Sequence, residues 1–125
     1  MSWHAGNADV DGADDGGWLV GRFKAGRAPE LATGDVEVKW ARLAAGSRDD
    51  EWTEPERRTS LCVLVSGSQR IRFREGEVVL RESGDYVIWY PGESHTWESS
   101  PTRETTTVTV RWPSEVPGED PPGGA

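Results

Sequence analysis

Gly84-Asp85-Tyr86-Val87-Ile88-Trp89-Tyr90-Pro91-Gly92-Glu93-Ser94-His95 is the stretch from which the fold is read. Gly84 permits the positive φ of a sharp entry turn. Tyr86–Tyr90 is a short aromatic and β-branched run, which suits extended chain. Successive side chains on a strand point to opposite faces, so only one of Trp89 and Tyr90 faces inward. Pro91-Gly92 ends the run, because proline has no N–H to give to a ladder and glycine bends freely. His95 then opens the next predicted strand, His95–Glu98.

The rest of the middle of the chain reads the same way. Ser60–Val65 is a continuous β-rich run, as expected of a strand buried on both faces. Ser66-Gly67-Ser68 turns it into Gln69–Phe73, and Arg74-Glu75-Gly76 turns that into Glu77–Arg81. In Gln69–Phe73 and the arginine that follows, Arg70, Arg72 and Arg74 alternate with Ile71 and Phe73. The arginines read as a solvated face and the apolar pair as a buried one. Val36–Leu43 alternates too, with Val36, Val38 and Trp40 on one face and Glu37, Lys39 and Ala41 on the other, the pattern of a half-buried strand. Trp18–Phe23 is a short first strand. Thr105–Trp112 is dense in Thr and Val, whose branching disfavours helix. No stretch carries a helical repeat, and many short strands with Gly and Pro between them indicate an all-β sandwich or closed barrel.

Composition separates this middle from two ends. Residues 1–17 are rich in Gly, Asp and Ala, and residues 113–125 are rich in Pro and Gly. Neither end shows an apolar pattern able to offset the entropy of ordering, so both are expected to be loose tails around a domain at 18–112. The hydrophobic content of 34% is low largely because of them. The ends hold Asp9, Asp11, Asp14, Asp15, Glu115, Glu119 and Asp120 and no Lys or Arg. They account for nearly all of the formal charge of −8 and leave the middle close to neutral. That balance disfavours nucleic acid or an anionic membrane as a partner. Cys62 is the only cysteine and reads as a small buried hydrophobe, with no intramolecular disulfide available to it. No basic-then-apolar signal segment is read, and no apolar run approaches the ~20 residues of a membrane span. The expected location is the cytoplasm.

The stretch at 84–95 resembles the second signature of the cupin superfamily: Gly, five residues, Pro, any residue, Gly, two residues, His. Tyr90 replaces the usual first Pro-bearing position, and Pro91, Gly92 and His95 keep their register. The first cupin signature, a His-x-His pair followed by a Glu and then an aliphatic strand ending at a Gly turn, is laid on Val63-Leu64-Val65-Ser66-Gly67. Counting back places Ser60 at the glutamate position and Glu54 and Glu56 at the two histidine positions. The spacing survives, but both histidines and the glutamate are replaced. Over residues 36–112 the resemblance implies a jelly-roll β-barrel of two antiparallel sheets, with His95 pointing into it and homodimers common.

Metal-binding cupins use three imidazoles and one carboxylate. This chain offers at most His95, Glu54 and Glu56, so no cofactor is expected, and a divalent metal on those three residues is the alternative. By parity with the mapped ligand positions, Ser60, Cys62 and Leu64 face the interior together. Trp97, two residues after His95 and on the same face, and Trp40 are the aromatic wall candidates. Arg42 and Arg111 are candidate carboxylate clamps. The reading that follows is a small-molecule-binding barrel with a pocket around His95. The alternative is an enzyme: a metal-free isomerase, lyase or cyclase with His95 as proton carrier and Glu54 or Glu56 as partner, or, ranked behind it, a metal-dependent oxygenase. No G-x-S-x-G elbow supports a serine hydrolase.

Overall fold

The computed structural model describes residues 2–119. Nine strands build it: β1 (Trp18–Val20), β2 (Glu37–Leu43), β3 (Arg48–Asp49), β4 (Thr59–Ser66), β5 (Gln69–Phe73), β6 (Gly76–Leu80), β7 (Tyr86–Trp89), β8 (His95–Ser99) and β9 (Thr105–Trp112). They form two antiparallel sheets. One has the order β1-β2-β9-β4-β7 and the other β3-β8-β5-β6. This is a jelly roll, in which consecutive strands cross between facing sheets. Each expected strand is present. The short β3 adds to them, and the first stops at Val20, where the chain turns into a 3₁₀ segment over Arg22–Lys24.

The entry turn before β7 shows why its residues are needed. Gly84 has φ +94°, a region that side-chain-bearing residues rarely adopt. Its N–H donates to Leu64 O at 2.8 Å, and Leu64 N–H donates to Asp85 O at 2.8 Å, so the turn is stitched to β4. The Asp85 carboxylate accepts from Arg81 N and Glu82 N, both at 2.9 Å. Those two backbone donors hold its carboxyl below the usual carboxylate range. Gly67 answers a different constraint. A Cβ there would lie 2.6 Å from Thr105 Cα, so the β4–β5 turn closes against β9 only without a side chain.

Cross-strand register sets what faces inward. Glu37, Arg111, Ser60 and Trp89 stand opposite one another across β2, β9, β4 and β7. The next inward row is Lys39, Thr109, Cys62 and Val87. From the facing sheet, Gln69, Ile71 and Phe73 of β5 pair with Ser99, Trp97 and His95 of β8. The apolar core is Cys62, Leu64, Ile71, Leu80 and Trp89. Outside the four-stranded sheet, Arg70 and Arg72 reach Glu98, and Arg70 also pairs with Glu77.

Three expectations need correction. β4 alternates: Ser60, Cys62 and Leu64 are buried, while Leu61 and Val63 on its outer face are half-buried. β2 turns its apolar set outward and its Glu37, Lys39 and Ala41 set inward. Register, not hydropathy, decides this, since Glu37 must meet Arg111. The acidic head read as a loose tail lies against the barrel. It includes a short helix, α1 (Ala8–Asp11), capped by Asn7. Asp9 accepts from Trp40 Nε1 and Arg42 Nε, both at 2.8 Å, and Asp15 pairs with Lys24 at 2.8 Å. Residues 113–119 are also held, with Ser114 fully buried and Glu119 ion-paired to Arg22 and Arg58. Composition hides these contacts because the partners of the acidic ends are basic residues on the barrel. The remainder of the expected C-terminal tail, 120–125, lies outside the described residues.

Candidate functional site

A cavity of about 290 Å³ opens between the sheets at the end where β8 begins. His95 enters it because the loop before β4 is zipped to the Pro91–His95 turn. Glu56 N–H donates to Glu93 O at 2.8 Å, and Gly92 N–H donates to Glu56 O at 2.8 Å. Thr53 N–H donates to His95 O at 3.2 Å, and His95 N–H donates to Thr53 Oγ1 at 3.1 Å. Two loops far apart in sequence thus form one rigid lip.

The imidazole packs among aromatic rings, 4.9 Å from Trp89 and 6.5 Å from Phe73 by ring centroids. Burial pushes its pKa down. The carboxylates of Glu56 and Asp49 oppose that, and Arg111 adds to it. The direction favours the uncharged form of the ring. Cys62 lies deeper, and burial raises its thiol pKa against the partial opposition of the Thr109 and Thr107 hydroxyls. A protonated, buried thiol is a wall and not a nucleophile.

The cavity's other side is cationic. Lys39 and Arg111 both approach the indole of Trp18, with Arg111 Cζ 4.2 Å and Lys39 Nζ 5.5 Å from the ring centroid. Arg111 is already committed: its Nε donates to Glu37. Glu37 has no solvent exposure and also accepts from Arg22 at 3.2 Å and Ser114 Oγ at 2.9 Å. Arg58, 6% exposed, ties this cluster to the chain's end by donating to Pro113 O at 2.9 Å and Ser114 O at 2.6 Å.

Of the residues singled out from sequence, the structure brings His95, Glu56, Ser60, Cys62, Trp97 and Arg111 to this cavity. Leu64 faces inward but lies in the apolar core, 1% exposed, and does not line the cavity. Trp40 and Arg42 are on the outer face of β2, occupied by Asp9, because they share the parity of Val38. Glu54 is exposed and stands away from the cavity that Glu56 lines. The three-ligand metal set of His95, Glu54 and Glu56 is therefore not assembled. Among the described residues no three His, Cys, Asp or Glu side chains converge on a point. His95 and Glu56 alone supply one imidazole and one carboxylate, fewer than the three or four protein ligands typical of a zinc-type site. Lys39, Trp18, Glu37 and Gln69 were not foreseen. The signal for Lys39 was present, since it shares a face with the small Ala41 on an alternating strand.

Solved structures with this architecture include a cupin protein from Bacteroides fragilis, 16% identical, with a TM-score of 0.60 over 79% of this chain and 84% of that one. KdgF from Halomonas sp. is 14% identical, with a TM-score of 0.58 over 66% and 74% of the two chains. The cupin domain of Schizosaccharomyces pombe Cnp3 is 8% identical, with a TM-score of 0.56 over 63% of this chain and 53% of that one. No family model and no curated protein matches the sequence. At such identities the likeness establishes the fold: this chain has the cupin jelly roll. No helix among the described residues is long and apolar enough to cross a membrane.

Proposed function

We propose that this cupin-fold chain is a small-molecule-binding protein whose ligand sits in the cavity around His95. The observation that carries the reading is the cavity itself. It is of about 290 Å³, near the lower end of the ~300–1,000 Å³ of ligand pockets, and walled by Trp18, Trp89 and Trp97 with a few polar groups among them. Fold alone does not choose a function on so widely used a scaffold. Mass spectrometry of small molecules released on denaturing the natively purified chain tests the reading. An organic compound near one equivalent is expected, and Ser60→Phe, which fills the cavity floor, should deplete it. The same profile in both proteins would contradict it.

A second reading is acid–base catalysis, favoured by the lining of one cavity by both His95 and Glu56. It expects turnover of a cyclisable or isomerisable metabolite that His95→Ala abolishes. We further read the chain as a cytoplasmic homodimer. Its single buried cysteine suits a reducing compartment. The outer face of the five-stranded sheet presents the apolar row Val38, Val110, Leu61 and Ile88, with exposed Tyr86 beside it. A second copy of the same face would cover it.

A further inference from the structure

Lys39 is the residue of the cavity whose charge the protein leaves unanswered. Its side chain points inward from β2 and is half-buried. Its ammonium lies over Trp18, and no carboxylate and no hydrogen-bond acceptor among the described residues acts on it. The like charge of Arg111, itself spent on Glu37, acts on it instead. Burial first, and then that arginine, push the Lys39 pKa down, against a smaller opposing effect of the Cys62 sulfur; no carboxylate contributes. Withdrawing an ammonium from water is costly unless an anion meets it.

Two residues that line the same cavity each carry a buried polar atom without a partner among the described residues. The atoms are the indole N–H of Trp89 and the side-chain carbonyl of Gln69, on residues 7% and 5% exposed. The carboxylate that reaches the cavity lies at its mouth. Glu56 acts on His95 at the mouth, whereas Lys39 feels Arg111 and no carboxylate. Lys39 and Trp89 stand on strands three places apart in the sheet and in neighbouring inward rows. An anion is repelled near Glu56 and attracted at Lys39. The apolar remainder of a ligand then meets Ile71 and Trp97.

From this we infer that the ligand is a small carboxylic acid with an apolar body, its carboxylate held by Lys39 and its body lying between the sheets toward Trp89 and Trp97. The inference rests on the ligand-binding reading above and narrows it to a chemical class. The cavity volume suits a small acid and not a nucleotide or peptide. Lys39 is here an electrostatic anchor, and no bond is formed to it.

The test is calorimetric titration of the full chain with matched acids and primary amides: benzoate and benzamide, 3-phenylpropanoate and 3-phenylpropanamide, hexanoate and hexanamide. The acid of at least one pair should bind tenfold or more tighter than its amide. Lys39→Met should bring that acid down to the level of the amide, and Lys39→Arg should restore most of the difference. The NMR-measured Lys39 pKa should rise when the acid binds, which a merely structural lysine would not show. Equal binding of acid and amide, or an acid preference that survives Lys39→Met in a variant with native-like amide spectra, overturns the carboxylate assignment and leaves the cavity reading standing. Absence of binding by every acid and every amide overturns both.

Discussion

The indole of Trp89 and the imidazole of His95 lie 4.9 Å apart, centroid to centroid, inclined at 51°. This contact helps to exclude water from the ring and is one source of the burial that disfavours its charged form. The NMR titration of His95 should have its midpoint below 6.5. Glu56→Gln should lower it further, because the Glu56 carboxylate favours the imidazolium. A midpoint above 6.5, or a rise in Glu56→Gln, would contradict this environment.

The same residue fixes a pH dependence of stability. A histidine whose pKa is lower folded than unfolded binds more protons in the unfolded chain between the two values, so stability rises with pH across that window. Stability should therefore fall as pH drops below about 7 through the unfolded value near 6.5 and on to the folded value. A second loss should follow at lower pH, as Asp85 and Glu119 take up protons. Both are held low in the folded state, Asp85 by the backbone N–H groups of Glu82 and Arg81, and Glu119 chiefly by Arg58. Urea titrations across pH should show two steps, and His95→Gln should erase only the upper one. Stability flat from pH 7 to 5 in the parent protein would be the opposing result.

Glu37 is the centre of a buried ion cluster. It is fully buried and answers Arg22, Arg111 and Ser114 at once. Removing one member of a buried ion pair strands its partners, at a cost of about 3–5 kcal/mol. Glu37→Ala should lose stability of that order in urea unfolding. Exposed Glu54→Ala should fall within about 0.5 kcal/mol of the parent. Equal, small effects would mean that the cluster is dispensable.

Self-association through the five-stranded sheet predicts that the chain sediments as a dimer at micromolar concentration. Leu61→Glu, at the centre of the apolar outer row, should make it a monomer with an unchanged fold. A parent protein that is monomeric at about 100 µM would set aside this interface, since a stable one is expected to hold well below that concentration.

Much of the barrel was legible because its strands announce themselves. The Gly84–His95 stretch fixed a turn, a strand, a second turn and the inward histidine in one register, and parity along β4 put Ser60 and Cys62 into the cavity. Parity also misled. On β2 the apolar side chains look like the core set, yet they face outward, because the inner positions of this barrel carry a buried ion cluster that hydropathy cannot show. Trp40 and Arg42 were misplaced for that reason. Glu54 and Glu56 were indistinguishable from spacing. Only the pairing of Glu56 with the Glu93 turn turns one of them toward the cavity. The acidic ends looked solvated because their cations lie elsewhere in the sequence.

Everything proposed for this protein turns on whether the space around His95 receives a small organic molecule. The most direct measurement is backbone and indole amide NMR mapping of the full chain as a library of small organic fragments is added. Perturbations from binding fragments should concentrate at His95, Trp97, Trp18 and Lys39 and vanish in Ser60→Phe. No perturbation by any fragment, or shifts confined to the outer faces of the sheets, would contradict it.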